Sequence, residues 1–405
     1  MRIAAYVYPG WHPIPERDAA FHPGFTEWEL VASCRPRFEG HAQPRVPLLG
    51  TYDDRDPAEV GRRVRLAVAH GVDAFVYGFF WCRGKRVFQD ALDVGFLGGA
   101  GDGKGGGGDA AGDGAGDGAG ADAADAGAVG VSDAGANAPV GATTPFAVMW
   151  ANRMPRRVLP VRRADLPVID AARLVPSDVD DFVALVAYVA ERYFRRPNYV
   201  TVGGRPYFSI FDATFFVKEL GFAAAADAVR AARAWLAANG LPDMHLAAID
   251  PAPDVTPHLR AIGFDSVTHY VFLPDWKGPF LQDYATYALR RSQEWSGFAE
   301  RSGLPYMPSV APGWDASPRG ADFGPARPDK YPWSPVVVGE HPDRFHEALA
   351  RAVRFAMPRV GRASAAPPDD PLVFVASLNE WSEGHHLEPD TRFGMQWLEA
   401  VRAAR

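Results

Sequence analysis

The chain has 405 residues, of which 47% are hydrophobic, 12% aromatic and 22% charged. This composition is typical of a large globular protein and excludes a disordered chain, a disulfide-stapled miniprotein and a coiled coil. The formal net charge of −7 argues weakly against a nucleic-acid partner. The sequence contains no run of about 18 apolar residues, so we expect no membrane span.

Most of the net negative charge lies in one Gly/Ala/Asp-rich segment at 98–144. This segment holds seven Asp, one Lys and no Arg or Glu, a net charge of −6, together with 17 of the 41 glycines. The rest of the chain therefore carries a net charge of only −1. Because the segment cannot bury enough apolar surface to offset its chain entropy, we expect a disordered insertion.

The first residues and the cysteines bear on location. The segment from Met1 to Tyr8 is typical of a strand and is too short and too aromatic for a signal peptide. Cys34 and Cys82 form neither a disulfide framework nor a CxxC pair. We therefore expect a cytoplasmic protein.

Eight short apolar runs, rich in β-branched and aromatic residues, predict strands. In chain order they are 3–8, 74–79, 146–150, 207–211, 245–249, 266–270, 306–310 and 372–376. Most are nearly continuous hydrophobic runs, as expected for parallel strands that are buried on both faces.

Helical patterns separate these strands. Asp56 and Pro57 predict the start of one helix, and Ser177 predicts the N-cap of the next. The remaining helices are predicted at 223–239, 284–302, 342–358 and from 394 to 405. Eight alternating strand and helix units predict an α/β fold, a single (β/α)8 TIM-type barrel over 1–405, with the insertion between the second and third units. A doubly wound open sheet is the alternative.

Polar and aromatic residues follow most of the predicted strands, where a barrel of this kind places its active site. They are Trp11 and His12, Trp81, Trp150 and Asn152, Asp212, Asp250, Tyr270, Trp314 and Asp315, and the segment from Asn379 to His386. Aromatic faces stack on the C–H face of a sugar, and carboxylates and amides bind its hydroxyls. These residues therefore favour a carbohydrate ligand. A Gly-rich strand–helix turn for a nucleotide or flavin is missing from the predicted barrel, so we expect no cofactor.

Glu380 and Glu383 are the sharpest candidates for chemistry. Two carboxyls three residues apart lie on one side of a helical turn, so they are expected to be neighbours. Two neighbouring carboxylates do not both ionise freely, which should raise one pKa. A protonated acid beside an ionised carboxylate is what cleavage of a glycosidic bond requires. Ordinary acids in the first turn of a helix are the alternative interpretation.

A metal site is the less favoured interpretation of the nearby residues His385, His386 and Glu388. Adjacent histidines point in different directions on a strand or a helix, and the HExxH spacing is absent. We therefore expect these histidines to hydrogen-bond a substrate or a loop, and we expect no metal.

Motifs along the whole chain outside the insertion match one known family. They are YPGWHPIPE at 8–16, GFTEW at 24–28, GVDAFVY at 71–77, Trp81 with GKR at 84–86, WAN at 150–152, GGRPYF at 203–208, PGWDASPR at 312–319 and NEWSEG at 379–384. On these motifs the chain resembles the glycoside hydrolase family 99-like domain of bacterial polysaccharide-biosynthesis proteins of the glycosyltransferase WbsX type. It is more distantly similar to the endo-α-mannosidases of family 99.

The resemblance implies a (β/α)8 barrel and roles for both glutamates. Glu380 would be the base that activates the sugar 2-hydroxyl, which attacks the anomeric carbon to give a 1,2-anhydro sugar. Glu383 would protonate the leaving oxygen and then activate water, with retention overall. The residues expected to bind substrate are Tyr8, His12, Glu27, Trp28, Tyr77, Trp81, Trp150, Asn152, Tyr270, Trp314, Asp315, Asn379 and Trp381.

One position departs from the family pattern. The family usually follows Trp-Ala-Asn with Glu, whereas this chain has Arg153. A cation therefore replaces an acidic contact near the third strand.

Three functions fit the sequence. The leading one is a retaining glycoside hydrolase that acts on a bacterial polysaccharide or O-antigen-type glycan. The alternatives are a glycosyltransferase or other polysaccharide-biosynthesis protein, and a non-catalytic glycan-binding barrel. The sequence leaves the sugar, the linkage and the oligomeric state open.

Overall fold

The structure is a computed structural model that describes residues 1–99, 139–153, 178–323, 329–357 and 370–405. Its central sheet contains eight parallel strands. They are β1 (Arg2–Val7), β2 (Ala74–Cys82), β3 (Phe146–Trp150), β4 (Arg205–Ile210), β5 (His245–Ile249), β6 (Ser266–Thr268), β7 (Ser309–Val310) and β8 (Leu372–Val375).

The strands are ordered β7-β8-β1-β2-β3-β4-β5-β6. A parallel bridge between Val267 of β6 and Tyr306, just before β7, brings the two edges of the sheet together. The sheet is therefore a nearly closed barrel, which confirms the predicted fold. Its parallel pairing places the C-terminal ends of all eight strands at one end of the barrel.

The predicted strands agree closely with the structure. β3 and β5 have the predicted bounds, whereas β6 and β7 are shorter than predicted. β2 continues to Cys82 because it forms an antiparallel hairpin with Lys85–Val87. Beneath the open end the barrel is filled by aromatic side chains, including Tyr6 and Tyr207, which both pack on Phe374.

Ten α-helices are found among the described residues. They are α1 (Pro15–Ala20), α2 (Glu27–Ser33), α3 (Pro57–Ala69), α4 (Val179–Val189), α5 (Ala213–Leu220), α6 (Phe222–Ala238), α7 (Leu259–Ile262), α8 (Tyr284–Ser302), α9 (Pro342–Ala356) and α10 (Gln396–Ala403). None of these helices combines the length and the apolar character that crossing a bilayer requires.

Side-chain caps explain where two of the helices begin. The Asp56 carboxylate accepts hydrogen bonds from the backbone N–H groups of Ala58 and Glu59, which confirms the predicted start of α3. The predicted cap of the next helix, Ser177, lies outside the described residues. The cap of α4 is instead Asp178, whose carboxylate accepts from the backbone N–H of Asp181 at 2.7 Å.

The predicted insertion begins and ends at one place on the barrel. Its residues 100–138 lie outside the described part of the chain. The two ends of that gap are adjacent, since a Cβ placed on Gly98 would lie 2.2 Å from Cγ of Pro139. The segment therefore leaves and rejoins the fold at a single point.

The prediction that the insertion extends to residue 144 is wrong at its C-terminal end. Val140–Ala142 forms a 3-10 turn, and Val140 is buried. The side chain of Asn198 donates hydrogen bonds to the backbone oxygens of Gly141 and Thr144, at 2.8 and 2.7 Å. These contacts pack 139–144 against the barrel, so these residues belong to the fold and not to the insertion. The prediction of a single domain over 1–405 stays a prediction.

Candidate active site

A tight hairpin after β8 carries both predicted catalytic glutamates. Asn379–Glu380 pairs with His385–His386 as two antiparallel strands, and the turn between them is a short 3-10 segment. The turn ends at Gly384, which has a φ of +68° and lies so close to Asp315 that a Cβ would be 2.9 Å from its backbone nitrogen. A glycine is therefore needed for the hairpin to pack on the segment after β7.

The guanidinium of Arg319 joins the two glutamates. Its Nη2 donates to Glu380 Oε1 at 3.0 Å, and its Nη1 donates to Glu383 Oε1 at a closer distance. Its Nε donates to Glu27 Oε2 at 3.1 Å. Arg319 is fully buried and thus satisfies three buried carboxylates at once. The prediction that the two glutamates are neighbours agrees with this arrangement.

The third carboxylate, Glu27, has its own donors. Its Oε1 accepts from the Arg17 guanidinium and from the Tyr8 hydroxyl. Burial favours the neutral form of Glu27, but the charges of Arg319 and Arg17 outweigh it and lower the pKa of the carboxyl. Burial alone would lower the pKa of Arg319, but the negative charges of Glu27, Glu383 and Glu380 outweigh it and raise that pKa. This charge network keeps Glu27 ionised.

Further donors surround the two catalytic candidates. The hydroxyl of Tyr270 donates to Glu380 Oε2, and the hydroxyl of Tyr331 donates to Glu383 Oε1 at 3.0 Å. His385 Nε2 lies 3.3 Å from Glu383 Oε2 and 3.6 Å from Glu380 Oε2. An N–H at this nitrogen thus faces both carboxylates.

A cavity of about 390 Å³ opens above this cluster. Its walls combine three carboxylates, one guanidinium and five aromatic rings. It is lined by Arg153, Phe211, Asp212, Asp250, Tyr270, Val271, Trp276, Trp314, Tyr331 and Glu383. The volume and the mixed lining are typical of a small-molecule site.

Arg153, the position that departs from the family pattern, lies on the cavity wall. It is paired with Asp212 at 3.0 Å, and its guanidinium lies over the ring of Phe215, 4.4 Å from the ring centre. Asn152 fixes this arrangement, because its side chain bonds both the backbone N–H and the backbone oxygen of Asp212.

Three residues predicted to contact the substrate have different positions at the site. Trp314 and Tyr270 line the cavity itself. Asn379 instead joins the hairpin that carries both glutamates to the end of β1, because its side chain bonds the backbone N–H of Tyr8 at 2.8 Å and the backbone oxygen of Tyr8 at 3.0 Å.

Other predicted contacts are buried and have partners within the protein. Trp81 donates to Asp181 at 2.9 Å, Trp150 donates to the backbone oxygen of Trp81, and Tyr77 lies in the core. Asp315 accepts from His41 at 2.8 Å and from Gln43 at 2.6 Å. Their role in binding a substrate stays a prediction.

A second aromatic group lies behind the hairpin. Trp381 stacks on His386 and donates to Glu388 at 2.7 Å, while the indole of Trp28 donates to the backbone oxygen of Tyr52. His12, another predicted substrate contact, is buried and hydrogen-bonded to Asp54. None of these residues is among those that line the described cavity.

Among the residues that the structure describes, two side-chain groups have the spacing for a metal. Glu380, Glu383 and His385 bring possible ligand atoms within 4.8 Å of one another, as do His12, Asp53 and Asp54. In the first group, Arg319 already donates hydrogen bonds to both carboxyl groups. In the second, Asp54 is bonded to His12, and Asp53 is paired with Arg55. A cation would have to displace these partners.

Several residues of the site are absent from those predicted from the sequence, chiefly Arg319, Arg17, Tyr331 and Trp276. A signal for a buried cation was present, because three carboxylates predicted for one site require a positive partner. Arg319 also lies within one of the matching motifs. Tyr331 and Trp276 follow no predicted strand directly, and no pattern singled them out.

The chain matches one known protein family over most of its length. A family model described as Glycosyltransferase WbsX matches residues 3–96 and 138–401. The chain is similar to the uncharacterized protein WxcX from two strains of Xanthomonas campestris pv. campestris, with 30% identity over 418 residues that cover 99% of this chain and 49% of each relative. The chain thus spans about half the length of the curated relatives it matches.

Solved structures show the same fold. The chain is similar to a GH99 endo-alpha-mannosidase from Bacteroides thetaiotaomicron, with a TM-score of 0.54 and 14% identity over 100% of this chain and 95% of the other. It is also similar to a structure described as a glycoside hydrolase-like protein, with a TM-score of 0.56 and 14% identity over 100% and 93% of the two chains.

Proposed function

The chain belongs to the Glycosyltransferase WbsX family, and we propose that it is a carbohydrate-active enzyme that cleaves a glycosidic bond at the open end of its barrel. The observation that carries this proposal is the position of Glu383. It lies on the cavity wall, and Arg319 joins it to Glu380. A pair of carboxyl groups beside a sugar-sized cavity is the arrangement that glycoside cleavage uses.

In the proposed reaction Glu380 removes the proton from the 2-hydroxyl of the sugar, and that oxygen attacks the anomeric carbon. Glu383 donates a proton to the leaving oxygen, so the glycosidic bond breaks and a 1,2-anhydro sugar forms. Water then attacks the anomeric carbon and gives its proton to Glu383, while Glu380 returns its proton to the 2-oxygen. The products are two sugars, and the anomeric configuration is retained.

The donors around Glu380 suit a base. Glu380 accepts hydrogen bonds from Arg319 and from Tyr270, which fix the direction of its carboxyl oxygens. Tyr270 also lines the cavity. A substrate hydroxyl that approaches Glu380 would take the place of the Tyr270 hydroxyl as hydrogen-bond donor, and a neutral sugar can do so.

The substrate class we propose is a bacterial polysaccharide or O-antigen-type glycan. The cavity is lined by carboxylates, which can bind sugar hydroxyls, and by aromatic rings, which can stack on the C–H face of a sugar. The chain outside the segment 98–144 is nearly neutral, with a net charge of −1. These features favour a neutral or weakly charged sugar.

The test is the hydrolysis of a panel of bacterial polysaccharides and defined oligosaccharides by the full chain and by Glu380→Gln and Glu383→Gln. We expect each substitution to lower kcat by about 100-fold or more, since each removes a proton-transfer group. Glu347→Gln, the same change at a largely exposed position on α9, is the control and should leave kcat unchanged. Unchanged turnover in both site variants would contradict the proposal.

Glycosyl transfer is a second candidate, because the description of the family names a glycosyltransferase. It is tested by adding nucleotide sugars and acceptor oligosaccharides to the same preparations. A longer product that depends on Glu383 would favour transfer over hydrolysis. Tight glycan binding without any product would instead indicate a binding barrel.

A further inference from the structure

Trp276 is displayed at the edge of the candidate active site. Its side chain is 56% exposed, the largest exposure among the large apolar residues of the described chain, and it lines the cavity. Its ring is nearly perpendicular to that of Trp314, with ring centres 5.0 Å apart. Exposing an indole next to a cavity forgoes the free energy of burying it, so this position is not explained by packing.

The loop that carries Trp276 is held firmly in place. The buried side chain of Gln282 accepts from the backbone N–H of Asp275 at 2.8 Å and donates to the backbone oxygens of Asp275 and Pro279, at 2.7 and 3.1 Å. Arg290 and Arg291 of α8 bond the Asp275 carboxylate and the backbone oxygen of Pro274. The indole is thus exposed on an ordered backbone, which lowers the entropy cost of binding a ligand.

A row of rings connects this indole to the proposed catalytic residues. Trp314 stacks on His385, with ring centres 5.7 Å apart and an interplanar angle of 12°. His385 in turn faces Glu380 and Glu383. His385 is therefore next to the two glutamates, Trp314 is the next ring outward, and Trp276 is the outermost of the three.

We propose that Trp276 forms a second sugar subsite, in which its indole stacks on the C–H face of the sugar unit next to the one bound at Glu383. This inference rests on the proposed function and makes the substrate a glycan of at least two units. A sugar fits this place better than a nucleotide, because Asp212, Asp250 and Glu383 line the same cavity and would repel a diphosphate. The cation on the wall, Arg153, is already paired with Asp212.

The inference is tested by binding and not by turnover, so that it stands or falls separately from the proposed chemistry. The full chain, Trp276→Ala and Phe222→Ala are titrated with mono- to tetrasaccharides of mannose and with oligosaccharides from bacterial polysaccharides. Phe222 is the control because it is 44% exposed and lies on α6, away from the cavity lining. Glu383→Gln serves as a fourth protein in which bound ligand is not consumed.

We expect the best disaccharide to bind the parent chain more tightly than its monosaccharide does. In Trp276→Ala the Kd of the disaccharide should rise about tenfold, while the Kd of the monosaccharide should change little. Phe222→Ala should bind like the parent chain. An equal loss for mono- and disaccharides, no loss, or no oligosaccharide binding by the parent chain would each overturn the inference. Binding of UDP that is lost only in Trp276→Ala would also overturn it, in favour of a nucleotide subsite.

Discussion

Arg319 donates its Nε–H to a carboxylate oxygen of Glu27 across 3.1 Å, and both side chains are completely buried. A guanidinium is planar, so fixing one N–H fixes the directions of the others. Glu27, the first residue of α2, thereby orients the nitrogens that bind Glu380 and Glu383 at the other end of the chain. We infer that it positions the two proposed catalytic groups.

Removal of the Arg319 charge should destabilise the fold. The Arg319→Met variant removes the guanidinium that hydrogen-bonds three buried carboxyl groups, so we expect the free energy of unfolding to fall by about 3–5 kcal/mol. Arg319→Lys keeps the charge but cannot bond three carboxyl groups at once, so its free energy of unfolding should lie between those of the parent and Arg319→Met. Urea denaturation measures this, with Arg354→Met at an exposed position of α9 as the control. A loss within about 1 kcal/mol of the control would contradict the charge network.

Stability should fall with rising pH through the titration of Glu388. Burial raises the pKa of this carboxyl from 4.5 to about 7, and its oxygens accept from Tyr52 and Trp381. The folded protein therefore keeps a proton that the unfolded chain loses. The stability that this contributes is complete below pH 4.5 and is lost as the pH rises through 7, about 3 kcal/mol in all.

Glu388→Gln isolates this contribution because the amide does not titrate. Free energies of unfolding are measured in urea at pH values from 5 to 8 for both proteins. We expect the advantage of the parent over the variant to shrink steadily across this range. Parallel pH profiles would show that Glu388 does not retain its proton in the folded state.

Titration of His269 should make stability fall as the pH is lowered, opposite to the effect of Glu388. Burial, followed by the charges of Arg291 and Arg301, lowers its pKa from 6.5 to about 3. The unfolded chain thus binds a proton that the folded protein rejects, and stability is lost as the pH falls from 6.5 towards 3. His269→Gln should flatten this part of the profile, measured by thermal midpoints between pH 4 and 7. A slope unchanged by the substitution would contradict the prediction.

Deletion of residues 100–138 should leave the thermal midpoint nearly unchanged. Gly98 and Pro139 already lie side by side, so a short connection closes the gap without moving the barrel. Extending the deletion through residue 142 is the matched comparison. It removes buried Val140 and an acceptor of Asn198, and we expect it to lower the midpoint by about 5 °C. Equal midpoints for the two deletions would contradict the packing of 139–144 against the barrel.

The barrel was predictable because its strands have local signatures. A strand buried on both faces must be apolar at nearly every position, as in Phe146–Trp150 and His245–Ile249, and both were predicted with their observed bounds. The strands β6 and β7 were predicted too long. Past Thr268, for example, the backbone N–H of Tyr270 bonds the Asp250 side chain, a contact that no local pattern encodes.

Strand-end aromatics show the limit of such patterns. Trp81 and Trp150 lie at the ends of β2 and β3, and Trp314 follows β7, yet only Trp314 of the three lines the described cavity. Indole N–H groups of the other two have partners in the protein, Asp181 and the backbone of Trp81. Which ring faces a ligand depends on how neighbouring loops pack, and that information is spread over distant parts of the chain.

By itself, the sequence determined the alternation of strands and helices and the close pairing of Glu380 with Glu383, because both depend on residues that are near one another in the chain. Only the tertiary structure decided that Arg319 binds Glu27 as well as the two glutamates, and that Trp276 stands exposed beside Trp314. Residues 27 and 319 meet because closing the barrel brings the loops after β1 and β7 to the same end. A buried charge must then be neutralised by whatever cation that closure places within reach.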